Sequence, residues 1–258
     1  MQIAFANYGS GKPIILLHAF PLSGKMWKAN IESLVKANYR VIAPDLRGFG
    51  KTSNFADLNS VEEMARDVAE LMDNLKIEKA VIGGLSMGGY VAFNFFRLFP
   101  QRIAALVLCD TNSASDTEEK RKSRYETIEK IEAKGSQFLI ENMLPNLVSD
   151  FTKYNNKDLM KNLEQMFSEA DPNALAASLR GMAERESHDE LLKTINVPTI
   201  LIFGAEDSIT NLNVARSMKS QIPFSKLSVI ENAGHYCNLE QPERFDAELL
   251  DFLQNAKI

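Results

Sequence analysis

Two cysteines, three histidines and one tryptophan are scattered over 258 residues, and each scarcity removes a class of protein. Cys109 and Cys237 alone cannot make a disulfide framework. His18, His188 and His235 are widely spaced and neither cysteine has a C-x-x-C partner, so no metal site is expected. Nothing approaches 18 consecutive apolar residues, which excludes a membrane-spanning helix. The opening Met1-Gln2-Ile3-Ala4-Phe5-Ala6-Asn7 lacks the basic start and long apolar stretch of a secretion signal, so a cytoplasmic location is expected. Lysine and arginine number 29 against 34 aspartate and glutamate, a net charge of −5. Nucleic acid or an anionic membrane surface would call for a basic patch, and neither is expected as a partner. Repeats and low-complexity stretches are also missing. Gly48-Phe49-Gly50-Lys51-Thr52 ends like a phosphate-binding loop, but Asp45 stands where its first glycine belongs. No G-x-G-x-x-G spacing exists either, so no nucleotide cofactor is implied.

What is present is an ordinary apolar share, 45% of residues, enough to bury a large core at this length. Strand-like runs at 13–17, 40–43, 80–82, 104–109, 198–203 and 226–230, most of them apolar, alternate in the first half with helical periodicity at 26–37, 61–75 and 89–99. Runs that are apolar throughout and interleaved with helices predict a parallel sheet covered on both faces. Ser60 and Glu63 are spaced as a capping box for the helix that starts at Val61. The alternation stops between about 112 and 195, where four helix-like stretches (117–134, 138–147, 157–170 and 173–184) follow one another with no strand between them. Helices inserted there should cap the strand ends, where ligands bind in open α/β sheets. The charge-rich stretch 117–134 reads as a solvated helix face. Met143, Leu147, Met166 and Leu179 are candidates for the roof of a pocket, and Trp27 for its wall.

Gly84-Leu85-Ser86-Met87-Gly88 joins a strand to a helix through a sharp turn with serine at its apex. Such a turn lifts the hydroxyl above the sheet edge, provided that small residues flank it. A hydroxyl nucleophile needs a base, and the base needs a carboxylate that fixes its tautomer. Asp207 follows the 198–203 run and His235 follows the 226–230 run, so all three lie at C-terminal strand ends. Asp110, after the 104–109 run, is a rival for the acid. His18, at the end of the 13–17 run, reads as a brace for its own loop.

Over its length the chain resembles the α/β-hydrolase family. The likeness is carried by His18-Ala19-Phe20-Pro21, Asp45-Leu46-Arg47-Gly48-Phe49-Gly50, Gly83-Gly84-Leu85-Ser86-Met87-Gly88-Gly89-Tyr90, Gly204-Ala205-Glu206-Asp207 and Ala233-Gly234-His235. Met87-Gly88-Gly89-Tyr90-Val91-Ala92-Phe93 and Leu108-Cys109-Asp110-Thr111 make it most similar to small bacterial carboxylesterases that themselves resemble 3-oxoadipate enol-lactonases. One departure is Ala19, where such proteins commonly have glycine. The resemblance implies a mostly parallel eight-stranded sheet flanked by helices, a core of residues 1–111 and 196–258, and a helical cap of residues 112–195. It also implies a Ser86-Asp207-His235 triad with an oxyanion hole made by the backbone N–H groups of Phe20 and Met87. The expected activity is cofactor-free hydrolysis of short-chain acyl esters, small molecules being the partners and the oligomeric state, monomer or dimer, left open. A lactonase would hold a substrate carboxylate with one of Arg47, Arg124, Arg180 or Arg185. A ligand receptor on the same scaffold is the reading of a different class.

Overall fold

A computed structural model describes residues 2–256. Seven strands form one sheet in the order β1-β3-β2-β4-β5-β6-β7. They are β1 (Phe5–Tyr8), β2 (Lys12–Leu17), β3 (Tyr39–Pro44), β4 (Ala80–Leu85), β5 (Ile103–Cys109), β6 (Thr199–Gly204) and β7 (Ser225–Ile230). Only β1 runs antiparallel, pairing Phe5 with Pro44 and Tyr8 with Val41. Every residue of β4 and β6 is buried, as strands covered on both faces must be, whereas β1 at the edge is mostly exposed.

The sheet has seven strands, not the expected eight. Ahead of β1 the chain bonds to a loop instead of adding a strand: Ala4 N donates to Thr52 Oγ1 at 2.8 Å and Ala4 O accepts from Asp45 N at 2.8 Å.

Between strands lie α1 (Lys28–Lys36), α2 (Val61–Asn74) and α3 (Met87–Leu98). Ser60 Oγ caps α2 by accepting from Glu63 N at 3.1 Å, while the Glu63 carboxylate turns to Arg47 Nη1 at 2.9 Å. Between β5 and β6 the chain is helical: α4 (Glu118–Lys134), α5 (Gln137–Asn142), α6 (Asp150–Asn155), α7 (Lys157–Ser168), α8 (Pro172–Ala183) and the single turn α9 (Asp189–Leu192). That is more, and shorter, helices than the four expected. The 138–147 stretch breaks because Pro145 has no amide proton to continue α5, and a 3₁₀ turn, Leu144–Asn146, takes over. Ser149 caps the unforeseen α6, accepting from Thr152 N at 3.1 Å. α4 packs on α8 and α5, and α7 on α5 and α6, so the insertion has an interior of its own that includes Ile131, Leu163, Phe167 and Leu175. The chain closes with α10 (Leu212–Gln221), α11 (Cys237–Glu240) and α12 (Pro242–Asn255), the last packed against α1, β6 and β7.

Candidate active site

The turn between β4 and α3 holds Ser86 at φ 54° and ψ −110°. A non-glycine residue with positive φ is strained and persists only where its surroundings over-determine it. Here Ser86 N donates to Cys109 O at 2.9 Å and Thr111 Oγ1 donates to Ser86 O at 2.8 Å, tying the turn to β5. The flanking glycines leave no room for anything larger: a Cβ on Gly84 would stand 2.2 Å from Gly88 C and O, and one on Gly88 would stand 2.3 Å from Leu17 O.

The structure brings Ser86, His235 and Asp207 together. His235 Nε2 lies 2.8 Å from Ser86 Oγ, and His235 Nδ1 lies 2.8 Å from Asp207 Oδ2. Asp207 also accepts from Ile209 N at 2.8 Å, from Thr210 N at 3.1 Å and from Thr210 Oγ1. Burial raises the pKa of this carboxyl, but the charge of His235 and the bonds from His235 and Thr210 outweigh it and bring it down to about 2. Asp207 is therefore an anion at neutral pH, able to fix Nδ1–H and leave Nε2 free to accept the serine proton. Asp110 does not reach His235. Its Oδ1 accepts from Gly204 N at 2.8 Å, bracing the start of the acid loop. Burial first, and then the charge of Asp207, push its carboxyl well above the usual range.

Two supports were not legible in the sequence. The buried Glu240 carboxylate accepts from Gly234 N and Ser149 N, both at 2.8 Å, which clamps the His235 loop to the inserted helices. Tyr236 Oη donates to Phe20 O at 3.2 Å, joining the histidine loop to the loop after β2. His18 braces that same loop: its Nδ1–H donates to Ala19 O at 3.0 Å and its Nε2 accepts from Leu46 N at 2.9 Å. Burial lowers the pKa of His18 to about 4, so the ring is neutral. Met87 is the first residue of α3, where a backbone N–H has no acceptor within the helix, and Phe20 lines the same cavity as Ser86.

Ser86 and His235 open into a cavity of about 350 Å³. Its apolar wall includes Phe20, Phe138, Leu139, Met143, Leu179 and Met182, and its polar lining is a face of α4 together with Asn142 and Asn146. Met143 and Leu179 thus line it, but three residues expected there do not. Trp27, just before α1, is fully buried against Phe245 of α12, with ring centroids 5.9 Å apart, where α1 packs on α12. Leu147 turns its side chain into the core and offers its carbonyl to His235 N at 2.9 Å. Met166, on α7, borders a separate crevice with Pro21, Phe49 and Glu169. The stretch 117–134 is not simply a solvated face either, since Lys120, Ser123, Arg124 and Thr127 line the cavity.

All four arginines that might hold a substrate anion are in ion pairs, Arg124 with Asp116. Arg47 pairs with Asp67 and Glu63, Arg180 with Glu132, and Arg185 with Asp116 beneath the Tyr90 ring. Only Arg124 borders the cavity. Cys109 and Cys237 are both free buried thiols. Among the described residues no three histidine, cysteine or acidic side chains gather as a metal site, and no helix is long and apolar enough to cross a membrane.

A family model described as the alpha/beta hydrolase fold matches residues 12–242. The chain is similar to a thermophilic esterase from Thermogutta terrifontis, solved with malate bound, at 39% identity and a TM-score of 0.96, covering 98% of this chain and 93% of that one. It is 29% identical over 220 residues to 3-oxoadipate enol-lactonase 1 of Acinetobacter baylyi, 85% of this chain and 80% of the relative. The enol-lactonase of Burkholderia xenovorans shares the fold, with a TM-score of 0.90 at 23% identity over 98% of this chain and 95% of that one.

Proposed function

The chain belongs to the α/β-hydrolase fold family, and from that premise we propose that it is a serine carboxylesterase acting on short-chain acyl esters through an acyl-enzyme. The single observation that carries the reading is the unbroken line from Ser86 Oγ through His235 to Asp207, with 2.8 Å at each step, opening into a largely apolar cavity. Ser86 Oγ attacks the ester carbonyl while His235 Nε2 takes its proton. Asp207 holds the imidazole and stabilises the imidazolium. The backbone N–H groups of Phe20 and Met87 receive the developing oxyanion, each such donor being worth roughly 3 kcal/mol of barrier. Collapse expels the alcohol with the proton that His235 carries, and water, activated by the same base, then releases the acid. Residues 112–195 act as the cap, whose underside limits acyl length.

Two experiments test this. An aryl fluorophosphonate should label the protein once, on the peptide carrying Ser86, and block turnover in proportion. Ethyl and aryl esters of rising acyl length should show highest kcat/KM from acetate to butyrate. Labelling elsewhere with turnover untouched would remove the serine mechanism, and tight ester binding without turnover would make the protein a receptor. A lactone hydrolase is the second reading, favoured by the cationic side chain of Arg124 in the cavity wall and by the enol-lactonase relative. Turnover confined to lactones would select it.

A further inference from the structure

Charge is distributed against the grain in this molecule. The chain carries a net −5, yet no aspartate or glutamate lines the cavity at Ser86, while Lys120 and Arg124 do. Both stand on one face of α4 with Ser123 and Thr127, at positions i, i+3, i+4 and i+7, the spacing that puts side chains in a single row. The Lys120 ammonium has no ion-pair partner among the described residues. Arg124 is fixed instead of free. Its Nε and Nη2 hold Asp116, which leaves Nη1 facing only the weak sulfur acceptor of Met182 at 3.7 Å. Asp116 cannot neutralise the wall, because Arg185 shares the same carboxylate at 2.6 Å. Two guanidinium groups therefore share one carboxylate, and Arg124 together with Lys120 lines the cavity.

We infer that this row is an anion subsite, and that the substrates carry a carboxylate remote from the scissile carbonyl, seated on Lys120 and Arg124 with hydroxyl donors from Ser123 and Thr127. The inference rests on the serine-hydrolase reading of the same site. A guanidinium fixed by Asp116 and an ammonium one helical turn before it suit a carboxylate, which takes one planar and one point-charge donor. Beyond the row the lining is mainly apolar, with Phe20, Phe138, Leu139, Met143, Leu179 and Met182 against Asn142 and Asn146, which suits a hydrocarbon chain between carbonyl and carboxylate. A neutral ester would leave the Lys120 ammonium without a counter-charge in the cavity wall.

The test compares monoethyl succinate, glutarate and adipate with ethyl butyrate, valerate and hexanoate, followed by proton release. A second arm compares the acetyl ester of 4-hydroxybutyrate with butyl acetate and so tells whether the carboxylate belongs to the acyl or the alcohol side. At least one charged member should be preferred over its neutral match by about tenfold or more in kcat/KM, as charge-assisted bonds allow. That ratio should fall with added salt. Lys120→Met should reduce the ratio about tenfold through KM, Lys120→Arg should restore it, and Lys120→Glu should invert it. Calorimetric titration of Ser86→Ala with monoethyl glutarate should give binding that Lys120→Met weakens by a similar factor. A wild-type ratio of one or less in both arms, with neutral esters still turned over, overturns the subsite and leaves the esterase. Binding that depends on Lys120 without turnover of any ester upholds the subsite and sinks the esterase. A ratio that Lys120→Met does not move overturns the assignment.

Discussion

α3 and α4 each present a face to the same cavity, and they are held there by different means. In α3 the residues from Met87 to Phe96 are all buried, wedged between the sheet and α2. In α4 only Ile128 and Ile131 are buried, and the rest of its hold comes from a Thr117 cap, from Arg124 on the buried Asp116, and from more exposed links such as Arg121 and Tyr125 to Glu184 and Arg180 to Glu132. Buried apolar contacts fix position to a fraction of an ångström, whereas exposed ion pairs contribute little. The proposed nucleophile Ser86 therefore leads into the more firmly packed helix, and Lys120, proposed to select the substrate, sits on the helix with fewer buried contacts. The chemistry should fail when α3 or its strand-end partners are touched, and only preference should change when α4 is.

The largest expected effect is at the start of α3. Ser86→Ala should lower ester turnover by about 10⁵–10⁶, as in other serine hydrolases where the nucleophile is removed, with the unfolding midpoint near wild type. Stopped assays on a butyrate ester measure it, and a loss under tenfold would place the nucleophile elsewhere.

Next come the two acids at neighbouring strand ends. Asp207→Asn should cost about 10⁴ in kcat, because the asparagine presents the wrong tautomer to His235. Asp110→Asn keeps an acceptor for Gly204 N and should cost less than about tenfold. The reverse ranking would move the acid to the end of β5.

The packing contrast itself can be broken by stability measurements. Phe93→Ala, in the fully buried part of α3, should destabilise the protein by about 3–5 kcal/mol in urea unfolding. Arg121→Ala, on the exposed side of α4, should leave the midpoint close to wild type. Equal losses would mean that α4 is held as firmly as α3.

A pH dependence should be readable in the loop after β2. His18 is neutral in the fold, with its pKa lowered from 6.5 to about 4 by burial, so the unfolded chain binds the extra proton between those values. Its contribution is therefore full above about pH 6.5 and is lost as pH falls toward 4, by up to about 3 kcal/mol. His18→Asn should remove that slope from unfolding curves taken between pH 7 and 4, and a slope unchanged by the substitution would assign it to another group.

The parallel sheet, the serine turn and the chain order Ser86, Asp207, His235 are all local matters, which is why the residues announce them. Strand runs that are apolar on both faces, glycines where a backbone must pass within van der Waals distance, and a strand-to-helix junction each depend on neighbours a few positions away. The cavity wall is different. Met143, Leu147, Met166 and Leu179 look alike in a string of helical residues, and only the packing of α4 on α8 and of α5 on α7 turned the first and last toward Ser86 and the other two elsewhere. Trp27 went into the α1–α12 contact for the same reason. A charged helix gives no sign in its own sequence of which face meets water and which meets a cavity, because both are hydrated. Lys120 and Arg124 acquired their place at the site from the long-range docking of the inserted helices, and so did Glu240, whose partners Gly234 and Ser149 lie on opposite sides of β6 in the sequence.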